Sequence, residues 1–359
     1  MPDFQFLFKL MAALLAAGLI SFLATPLVKN LAYKVGAIDV PKDNRRMHHE
    51  PIPRLGGLAI FIAFLFTVIV LADIDRTTRG ILLGAIMIVI LGVMDDIMTL
   101  KALPKFLVQI AAAGVAVYHG CVIQFISNPN IFSPLDYLNL GWLSIPVTII
   151  WIVAITNAVN FIDGLDGLAV GVSAISTASL LIIALMVEEL NIAIILSALL
   201  GSCLGFIPYN KNPAKIFMGD TGATFLGFIL ATLSVQGLFK LYAIISFAVP
   251  FLILGIPIFD ICFAFLRRIA KGQNPMKADR GHVHHRLIDM GFNQKQAVAI
   301  SYMLTAILGL AAVLLTSSGE LRALILIGSV IVVGAIGVRI IYKKPHHHGE
   351  NEEDHHEEV

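Results

Sequence analysis

The chain has 359 residues, of which 58% are hydrophobic and only 14% are charged, and its mean hydropathy is +0.86. Soluble domains carry about 25% charged residues, so this composition excludes an ordinary soluble protein and indicates an integral membrane protein. The formal net charge of +1 gives no overall basicity, and we expect no nucleic-acid partner. Cys121, Cys203 and Cys262 lie in or beside apolar runs without paired spacing, which predicts neither a disulfide framework nor a zinc site.

Apolar runs that could cross a bilayer recur along the whole chain. A membrane-spanning helix needs roughly 20 apolar residues, and about eleven such runs are present, the third of them short. We therefore predict an all-α polytopic membrane protein with a single transmembrane domain over residues 1–342, followed by a disordered His- and acid-rich tail, residues 343–359. The runs cover residues 4–28, 55–72, 81–94, 106–126, 143–160, 168–187, 192–207, 221–239, 241–266, 297–316 and 321–341.

Basic residues are divided unevenly between the two sides of these runs. The first run has no small-residue cleavage pattern after it and is predicted to be a retained span rather than a signal peptide. With the N-terminus outside, the positive-inside rule is satisfied, which predicts an N-out, C-in orientation. In that orientation the inner segments are 29–54, 101–105, 211–215, 267–295 and the tail, whereas the outer loops hold Arg76, Arg79, Lys240 and Arg322.

Four polar clusters interrupt the apolar pattern, and all four fall on the predicted cytoplasmic side. Asp95-Asp96 follow the third run, residues 157–168 follow the fifth, residues 217–222 open the eighth, and residues 279–286 follow the ninth. Features that served only the fold would be scattered over both faces. Their convergence therefore predicts one active site at the inner membrane surface.

The segment 157–168 sets two amides and two carboxylates at every third position. On a helix that tightens toward three residues per turn, this spacing stacks them along one stripe that can hold a metal ion. Glycines beside the carboxylates allow backbone or ligand to approach closely. A polar helix end capped by Asn and Gly is the alternative interpretation. The polar residues are Asn157, Asn160, Asp163 and Asp166, and the glycines are Gly164 and Gly167.

Further carboxylates lie where apolar runs begin or end. Asp95 and Asp96 end the third run, where charge is costly unless solvated or paired. Adjacent acids can organise a cation and ready an attacking oxygen in phosphoryl transfer, or they can be a simple helix-end charge pair. Asp220 lies in Phe217-Met-Gly-Asp-Thr-Gly before the eighth run. There the helix dipole favours a carboxylate and free N–H groups favour phosphate, although a plain N-cap is the alternative.

Basic residues form the remaining candidate contacts for anions. The segment Asp279-Arg-Gly-His-Val-His-His-Arg has a His spacing that zinc ligands also use, but no Cys occurs in this loop. Imidazole and guanidinium groups donate hydrogen bonds to phosphate oxygens, so a polyanion fits better than zinc or than a merely solvated loop. Lys105, at the start of the fourth run, is placed to meet a lipid phosphate at the interface.

In this order and on one predicted face, the motifs resemble the polyprenyl-phosphate N-acetylhexosamine-1-phosphate transferases, glycosyltransferase family 4. The His-x-His-His-Arg form is similar to the bacterial branch that starts teichoic acid, O-antigen or enterobacterial common antigen synthesis. The relative that makes peptidoglycan lipid I usually has three successive histidines and Thr-Met-Gly-Gly where this chain has Arg54-Leu-Gly-Gly. Phospho-MurNAc-pentapeptide transfer is therefore the second choice. The resemblance rests on Asp95-Asp96, residues 157–168, residues 217–222 and His282-Val-His-His-Arg-Leu.

The resemblance implies a reaction of UDP-N-acetylglucosamine with undecaprenyl phosphate that gives undecaprenyl-diphospho-GlcNAc and UMP. It implies Mg²⁺ as the cofactor, with Mn²⁺ as a substitute, and a bacterial inner-membrane enzyme whose catalytic loops are cytoplasmic. A homodimer is left open as its assembly. Roles carry over residue by residue. The metal ligands are Asn160 and Asp220; the catalytic residues are Asp95, Asp96, Asp163, His282, His284 and His285; the substrate contacts are Arg54, Lys105, Asn157, Gly164, Leu165, Asp166, Phe217, Arg280 and Arg286.

Three other classes of membrane protein would also carry acids in apolar runs. An ion-coupled transporter should hold its acids near the bilayer midplane beside broken helices, whereas these acids lie at the ends of runs. An intramembrane aspartyl protease would carry a Gly-x-Gly-Asp signature, which is missing. A CDP-alcohol phosphotransferase would show Asp-Gly-x-x-Ala-Arg, and Asp166-Gly-Leu-Ala-Val has no Arg.

Overall fold

The computed structural model describes residues 4–40, 50–127, 137–238, 248–270, 272 and 282–317, together with 328, 329, 332 and 335. Within these residues the chain is 80% helical, which confirms the prediction of an all-α membrane protein. In the described part of the chain, six helices are long and apolar enough to cross a membrane by length and composition. The predicted eleventh run lies almost wholly outside the described residues, and the tail 343–359 lies entirely outside them.

Twelve α-helices and four short strands make up the described part of the chain. The strands pair as two antiparallel hairpins, β1 with β2 and β3 with β4. The helices are α1 Phe4–Val35, α2 Gly57–Leu71, α3 Arg76–Met98, α4 Ala102–Tyr118, α5 Ser144–Phe161, α6 Leu168–Met186, α7 Leu190–Asn210, α8 Gly219–Leu238, α9 Ala248–Ile253, α10 Gly255–Ala270, α11 Val283–Asp289 and α12 Gln294–Ser317; the strands are β1 Ile38–Asp39, β2 Ile52–Pro53, β3 Phe125–Ser127 and β4 Tyr137–Asn139.

Most predicted runs became single helices, and the differences have local causes. The second and fourth runs form the shorter apolar helices α2 and α4, of 15 and 17 residues. The ninth run, 241–266, is divided into α9 and α10, which meet at Leu254. The hairpins and the seven-residue α11 were not predicted, because elements this short carry too little periodicity to be recognised.

Helix α8 is the centre of the bundle. Every residue from Thr221 to Gln236 is buried, and α8 packs against α2, α3, α5 and α6. Its first turn fits between two helices because glycines allow the backbones to approach closely. A Cβ on Gly57 of α2 would lie 2.1 Å from the Gly222 Cα, and one on Gly92 of α3 would lie 2.4 Å from the Thr221 Cα.

A short strand-like segment fixes the approach to α8. The backbone around Arg54 forms a parallel bridge with Phe217, and the Phe217 N–H donates to the Pro53 carbonyl at 2.8 Å. The N–H groups of Gly56 and Gly57 then donate to the Phe217 and Met218 carbonyls. The start of α2 and the start of α8 are thus joined by backbone hydrogen bonds, which position everything that follows Phe217.

Helices α1 and α7 pack through small residues that lie opposite one another. A Cβ added to Gly201 of α7 would lie 2.2 Å from the Leu14 carbonyl oxygen of α1. Nearby, the Ser21 hydroxyl donates to the Ser202 carbonyl at 2.7 Å. This close contact of backbones leaves no room for a larger side chain.

We predict that Gly201→Ala lowers the temperature at which the detergent-solubilised protein loses its monodisperse peak. The added methyl group overpacks the α1–α7 contact, which typically costs about 1–3 kcal/mol and outweighs the gain in helix propensity of at most about 1 kcal/mol. The matched control is Gly114→Ala in α4, since a Cβ there meets nothing within 4 Å. Equal melting temperatures for the two variants would contradict the α1–α7 packing.

Candidate active site

A polar cavity of about 740 Å³ opens where α3, α5 and α7 end and α8 begins. Its described lining holds six carboxylate side chains and one guanidinium, that of Arg54. Such a surplus of negative charge repels anionic ligands unless cations join it. The carboxylates are those of Asp39, Glu50, Asp96, Asp163, Asp166 and Asp220; Asn160, Gly164, Leu165 and Phe217 also line the cavity.

Asp96 uses its carboxylate to hold the first turn of α8. Oδ1 accepts a hydrogen bond from the Asp220 N–H at 3.0 Å, while Oδ2 accepts from the Thr221 N–H at 3.0 Å and the Thr221 hydroxyl at 2.6 Å. The side chain is 2% exposed. Asp96 therefore acts as an N-cap supplied by a neighbouring helix.

Gly219 is the residue that permits this cap. Its φ is +72°, a conformation that side chains other than glycine rarely adopt. A Cβ there would also lie 2.5 Å from Asp96 Oδ2 and 2.9 Å from the Arg54 carbonyl. The glycine of the motif is therefore needed for the approach of Asp96 to α8.

Asp95, next to the cap, belongs to a different network. Its Oδ2 accepts a hydrogen bond from the Lys105 ammonium at 2.5 Å, and its Oδ1 accepts from the Leu100 N–H at 2.6 Å. The same ammonium contacts Asp220 Oδ2 at 2.5 Å. Lys105 thus bridges two carboxylates, of which Asp220 lines the cavity and has the more exposed side chain, 31% against 9%. The two adjacent acids of α3 are separated into a cap and an ion pair.

Arg54 lies beside the cap and faces the cavity. Its guanidinium donates two hydrogen bonds to the Asp96 carbonyl, at 3.1 and 3.2 Å, and its Nε is 4.0 Å from Asp96 Oδ1. The parallel bridge with Phe217 brings these two residues, predicted from distant parts of the chain, to the same wall.

The turn between α5 and α6 supplies another part of the cavity wall. Asn160 and Asp163 line the cavity, and Gly164 and Leu165 follow in the same turn. Burial, together with the neighbouring carboxylates of Asp220, Asp96 and Asp166, raises the pKa of Asp163 to about 8. A cation bound near Asp163 would favour its ionised form, because an opposite charge lowers the pKa of a carboxyl group.

Asp166 ties this turn to the loop before α8. Its Oδ2 accepts hydrogen bonds from the Asn212 amide at 2.9 Å and from the Ala214 N–H at 3.0 Å. The Asn212 amide also donates to Gln294 at the start of α12, and both residues line the cavity. These two amides were not predicted as site residues, because single polar residues near predicted run ends carried no motif.

Asn157 is held inside the bundle rather than at the cavity wall. Its amide nitrogen donates to Gln109 Oε1 at 2.7 Å and to the Val153 carbonyl at 2.8 Å. It is absent from the described lining, so the structure does not bring it together with the other predicted substrate contacts. The pairing joins α4 to α5 one helical turn before Asn160.

The predicted histidines stand behind the α5–α6 turn. His284 is buried, and a Cβ on Gly164 would lie 2.2 Å from its Nε2. Burial, together with the neighbouring His285 and His282 rings, lowers the pKa of His284 to about 3, so that this imidazole is neutral at physiological pH. The His282 ring is stacked on that of His284 with centroids 5.7 Å apart. The histidines are thus adjacent to the cavity through Gly164, although they do not line its described wall.

The remaining basic residues of the predicted motif have different surroundings and do not line the described cavity wall. Arg286 lies over the Phe263 ring, 5.1 Å from its centroid, and His285 packs on His284 with ring centroids 4.3 Å apart. Arg280 lies outside the described residues. One residue that sequence analysis missed stands next to this cluster: Asp260 of α10, whose Oδ2 lies 2.7 Å from His282 Nδ1.

The donor set of the cavity favours a hard cation. Carboxylate and amide oxygens of Asp220, Asp163 and Asn160 face the same space, and such oxygens suit Mg²⁺ better than they suit zinc. Among the described residues, no group of three or more His, Cys, Asp or Glu side chains is arranged as a complete metal site. Mg²⁺ is usually held by one or two carboxylates, waters and substrate phosphates, so Asp220 and Asn160 would fit a magnesium site.

Comparison with known proteins gives a consistent assignment. The profile of Glycosyl transferase family 4 matches residues 78–238. A Bacillus subtilis protein named probable undecaprenyl-phosphate N-acetylglucosaminyl 1-phosphate transferase is 41% identical over 312 residues, 86% of each chain. A decaprenyl-phosphate N-acetylglucosaminephosphotransferase of Mycobacterium tuberculosis is 32% identical, covering 89% of this chain and 86% of the relative.

A more distant relative carries a different name. A phospho-N-acetylmuramoyl-pentapeptide-transferase of Clostridium beijerinckii is 29% identical over 84% of this chain and 94% of its own length. All three named relatives are phosphotransferases, and two of them match most of this chain at more than 30% identity. The chain therefore belongs to glycosyl transferase family 4 and is a phosphotransferase enzyme of the membrane.

Proposed function

We propose that this enzyme transfers GlcNAc 1-phosphate from UDP-GlcNAc to undecaprenyl phosphate and releases UMP. Transfer of an N-acetylhexosamine 1-phosphate to a polyprenyl phosphate is the reaction class that the relatives indicate. The observation that carries the proposal is the carboxylate-lined cavity, with Lys105 bridging Asp95 and Asp220 beside it. The product would start the synthesis of a cell-envelope glycopolymer.

The charge of the cavity supports the proposal that a cation takes part. Both substrates are anions, and the described lining is itself strongly acidic. We propose that Asp220 and Asn160 hold a Mg²⁺ ion, since their oxygens face the cavity and Asp220 is the most accessible acid of the Lys105 network. When bound, the ion would neutralise diphosphate charge and stabilise the charge that develops during transfer.

The bond changes follow from the products. An oxygen of the lipid phosphate forms a bond to the sugar-bearing phosphorus of the nucleotide, and the bond from that phosphorus to the bridging oxygen breaks as UMP leaves. Lys105, with Arg54 nearby, supplies positive charge where the two phosphates meet. The second phosphate pKa is about 6, so a lipid phosphate is already largely ionised near neutral pH.

A strong general base is therefore unnecessary, and we propose direct in-line attack. Asp95 is held by Lys105 and the Leu100 N–H, and Asp96 is occupied by the first turn of α8. Both acids are engaged in positioning, which supports this mechanism over a phospho-aspartate intermediate. A labelled phospho-protein trapped from UDP-sugar without lipid would contradict it.

We further propose about eleven spans with the N-terminus outside, and a cytoplasmic active site at the bacterial inner membrane. Supporting this, the residues around the cavity come from the end of α3, the start of α4, the end of α5 and the start of α8. Helix ends that alternate in this way lie on one side of a bundle of antiparallel spans.

The first prediction concerns the donor. Purified enzyme should release UMP from UDP-GlcNAc only when both Mg²⁺ and undecaprenyl phosphate are present. The ion neutralises the charge of the diphosphate, and the lipid phosphate supplies the attacking oxygen. UMP release is measured in parallel with UDP-GalNAc and UDP-MurNAc-pentapeptide. Preference for the pentapeptide donor would establish phospho-MurNAc-pentapeptide transfer instead, and release without lipid would indicate a hydrolase.

The second prediction concerns Asp220. Asp220→Asn should reduce turnover by about 100-fold or more, as is typical when one transition-state charge stabiliser is lost, while leaving membrane insertion and melting temperature unchanged. The matched control is Asp73→Asn in the exposed turn between α2 and α3, which should keep full activity. Near-normal turnover of Asp220→Asn would remove this residue from the proposed metal site.

The third prediction separates Asp96 from Asp220. Asp96→Asn should lower both turnover and melting temperature, because the amide cannot accept all three hydrogen bonds and leaves a buried donor unsatisfied, at a cost of ~1–3 kcal/mol. Thr221→Ala removes one of the same bonds and should destabilise in the same direction. Loss of activity in Asp96→Asn at an unchanged melting temperature would instead indicate that Asp96 acts directly on substrate.

A further inference from the structure

Helix α10 holds a buried carboxylate that the proposed mechanism has not used. Asp260 is 1% exposed. Its Oδ2 lies 2.7 Å from His282 Nδ1, and its Oδ1 accepts a hydrogen bond from the Val283 N–H at 2.7 Å. One carboxylate thus contacts both the ring of His282 and the backbone at the start of α11. We propose that Asp260 is a positioning residue that orients His282 toward the phosphate-bearing substrates.

The chemistry of the pair determines which ring nitrogen is available. An ionised carboxylate only accepts hydrogen bonds, so the hydrogen between the two groups belongs to Nδ1. Nε2 is then the nitrogen that a substrate can use, and the carboxylate fixes the orientation of the ring. A phosphate oxygen only accepts hydrogen bonds, so the proposal places a hydrogen on Nε2 as well, which Nε2 donates to a phosphate oxygen of the nucleotide diphosphate.

The position of His282 connects it to the cavity. Its ring lies 5.8 Å from that of Phe161, the last residue of α5, and is stacked in parallel on His284. His284 in turn presses on Gly164 of the cavity wall. A shift of the His282 ring would therefore disturb the turn that carries Asp163, and an anchored ring keeps this wall in place.

A structural role alone accounts for only half of this geometry. Capping the Val283 N–H needs a single acceptor, which a neutral Asn or Ser would also provide. Burying a carboxylate is costly unless its charge has suitable partners. The second carboxylate oxygen, Oδ2, contacts His282, and capping the Val283 N–H does not require this contact.

The inference rests on the proposed function, and the test is a double-mutant cycle on the full-length enzyme. Wild type, Asp260→Asn, His282→Ala and the double variant are compared by kcat and KM for UMP release with the donor that wild type uses. Asp260→Asn should lower kcat by about 10-fold to 100-fold, as is common for second-sphere partners of functional histidines. In the His282→Ala background, the same change should have less than about a twofold further effect.

An equal loss in both backgrounds, or no loss in wild type, would overturn the proposal. Melting temperatures are measured alongside, and Cys262→Ser on the exposed side of α10 serves as the control variant. If wild type released UMP from none of the donors, the proposed function would fail. If wild type is active, the variants decide the role of Asp260 separately.

A second pair of variants answers the question if Asp260→Asn does not fold. His282→Asn places an amide where Nδ1 lies and keeps a donor for Asp260, whereas His282→Gln places one near Nε2. If Asp260 serves to present Nε2, Gln should retain more activity than Asn. Activity of His282→Asn equal to or above that of His282→Gln would overturn the proposal.

Discussion

The contact between the Asp96 carboxylate and the first turn of α8 is the constraint on which the site depends. It joins the end of α3 to the start of the most buried helix, and it points the Asp220 side chain into the cavity. Neither oxygen of Asp96 could reach its donors if residue 219 carried a side chain. The motif Met-Gly-Asp-Thr-Gly thus combines a capped helix start with a carboxylate that lines the cavity. Its two glycines serve different purposes. Gly219 leaves space for the Asp96 carboxylate, and Gly222 leaves space for the backbone of α2.

Electrostatics follow from that arrangement. With Asp96 occupied by backbone N–H groups, Lys105 is the cation that balances Asp95 and Asp220. Asp163 remains next to these acids with its pKa raised to about 8 by burial and by the neighbouring carboxylates. The described cavity is therefore short of positive charge. A divalent cation bound there would reduce the repulsion between this acidic lining and an anionic ligand.

Much of this could be predicted from the sequence, and the reasons for the rest are physical. Runs near 20 apolar residues are a strong signal, and α6, α7 and α12 begin and end close to the predicted limits. The acids at the ends of these runs were also easy to recognise, because they interrupt an apolar sequence. Their partners were not, because hydrogen bonds between residues far apart in the chain have no local signature. The every-third-residue stripe at 157–166 predicted one common surface. Asn160, Asp163 and Asp166 do line one cavity, whereas Asn157 pairs with Gln109 inside the bundle.

Asp260 shows the opposite case, in which sequence reasoning passed over a residue that the fold makes important. A single acid inside the apolar run 241–266 has no neighbouring polar residue to form a motif. Only when α10 brings it beside His282 does the reason for a carboxylate become visible. Acids in membrane helices are costly and are usually paired or functional. In this enzyme the two uses are combined, since Asp96 and Asp260 each accept hydrogen bonds from backbone N–H groups and also hold a second group in place, the first turn of α8 with Asp220 in one case and the imidazole of His282 in the other.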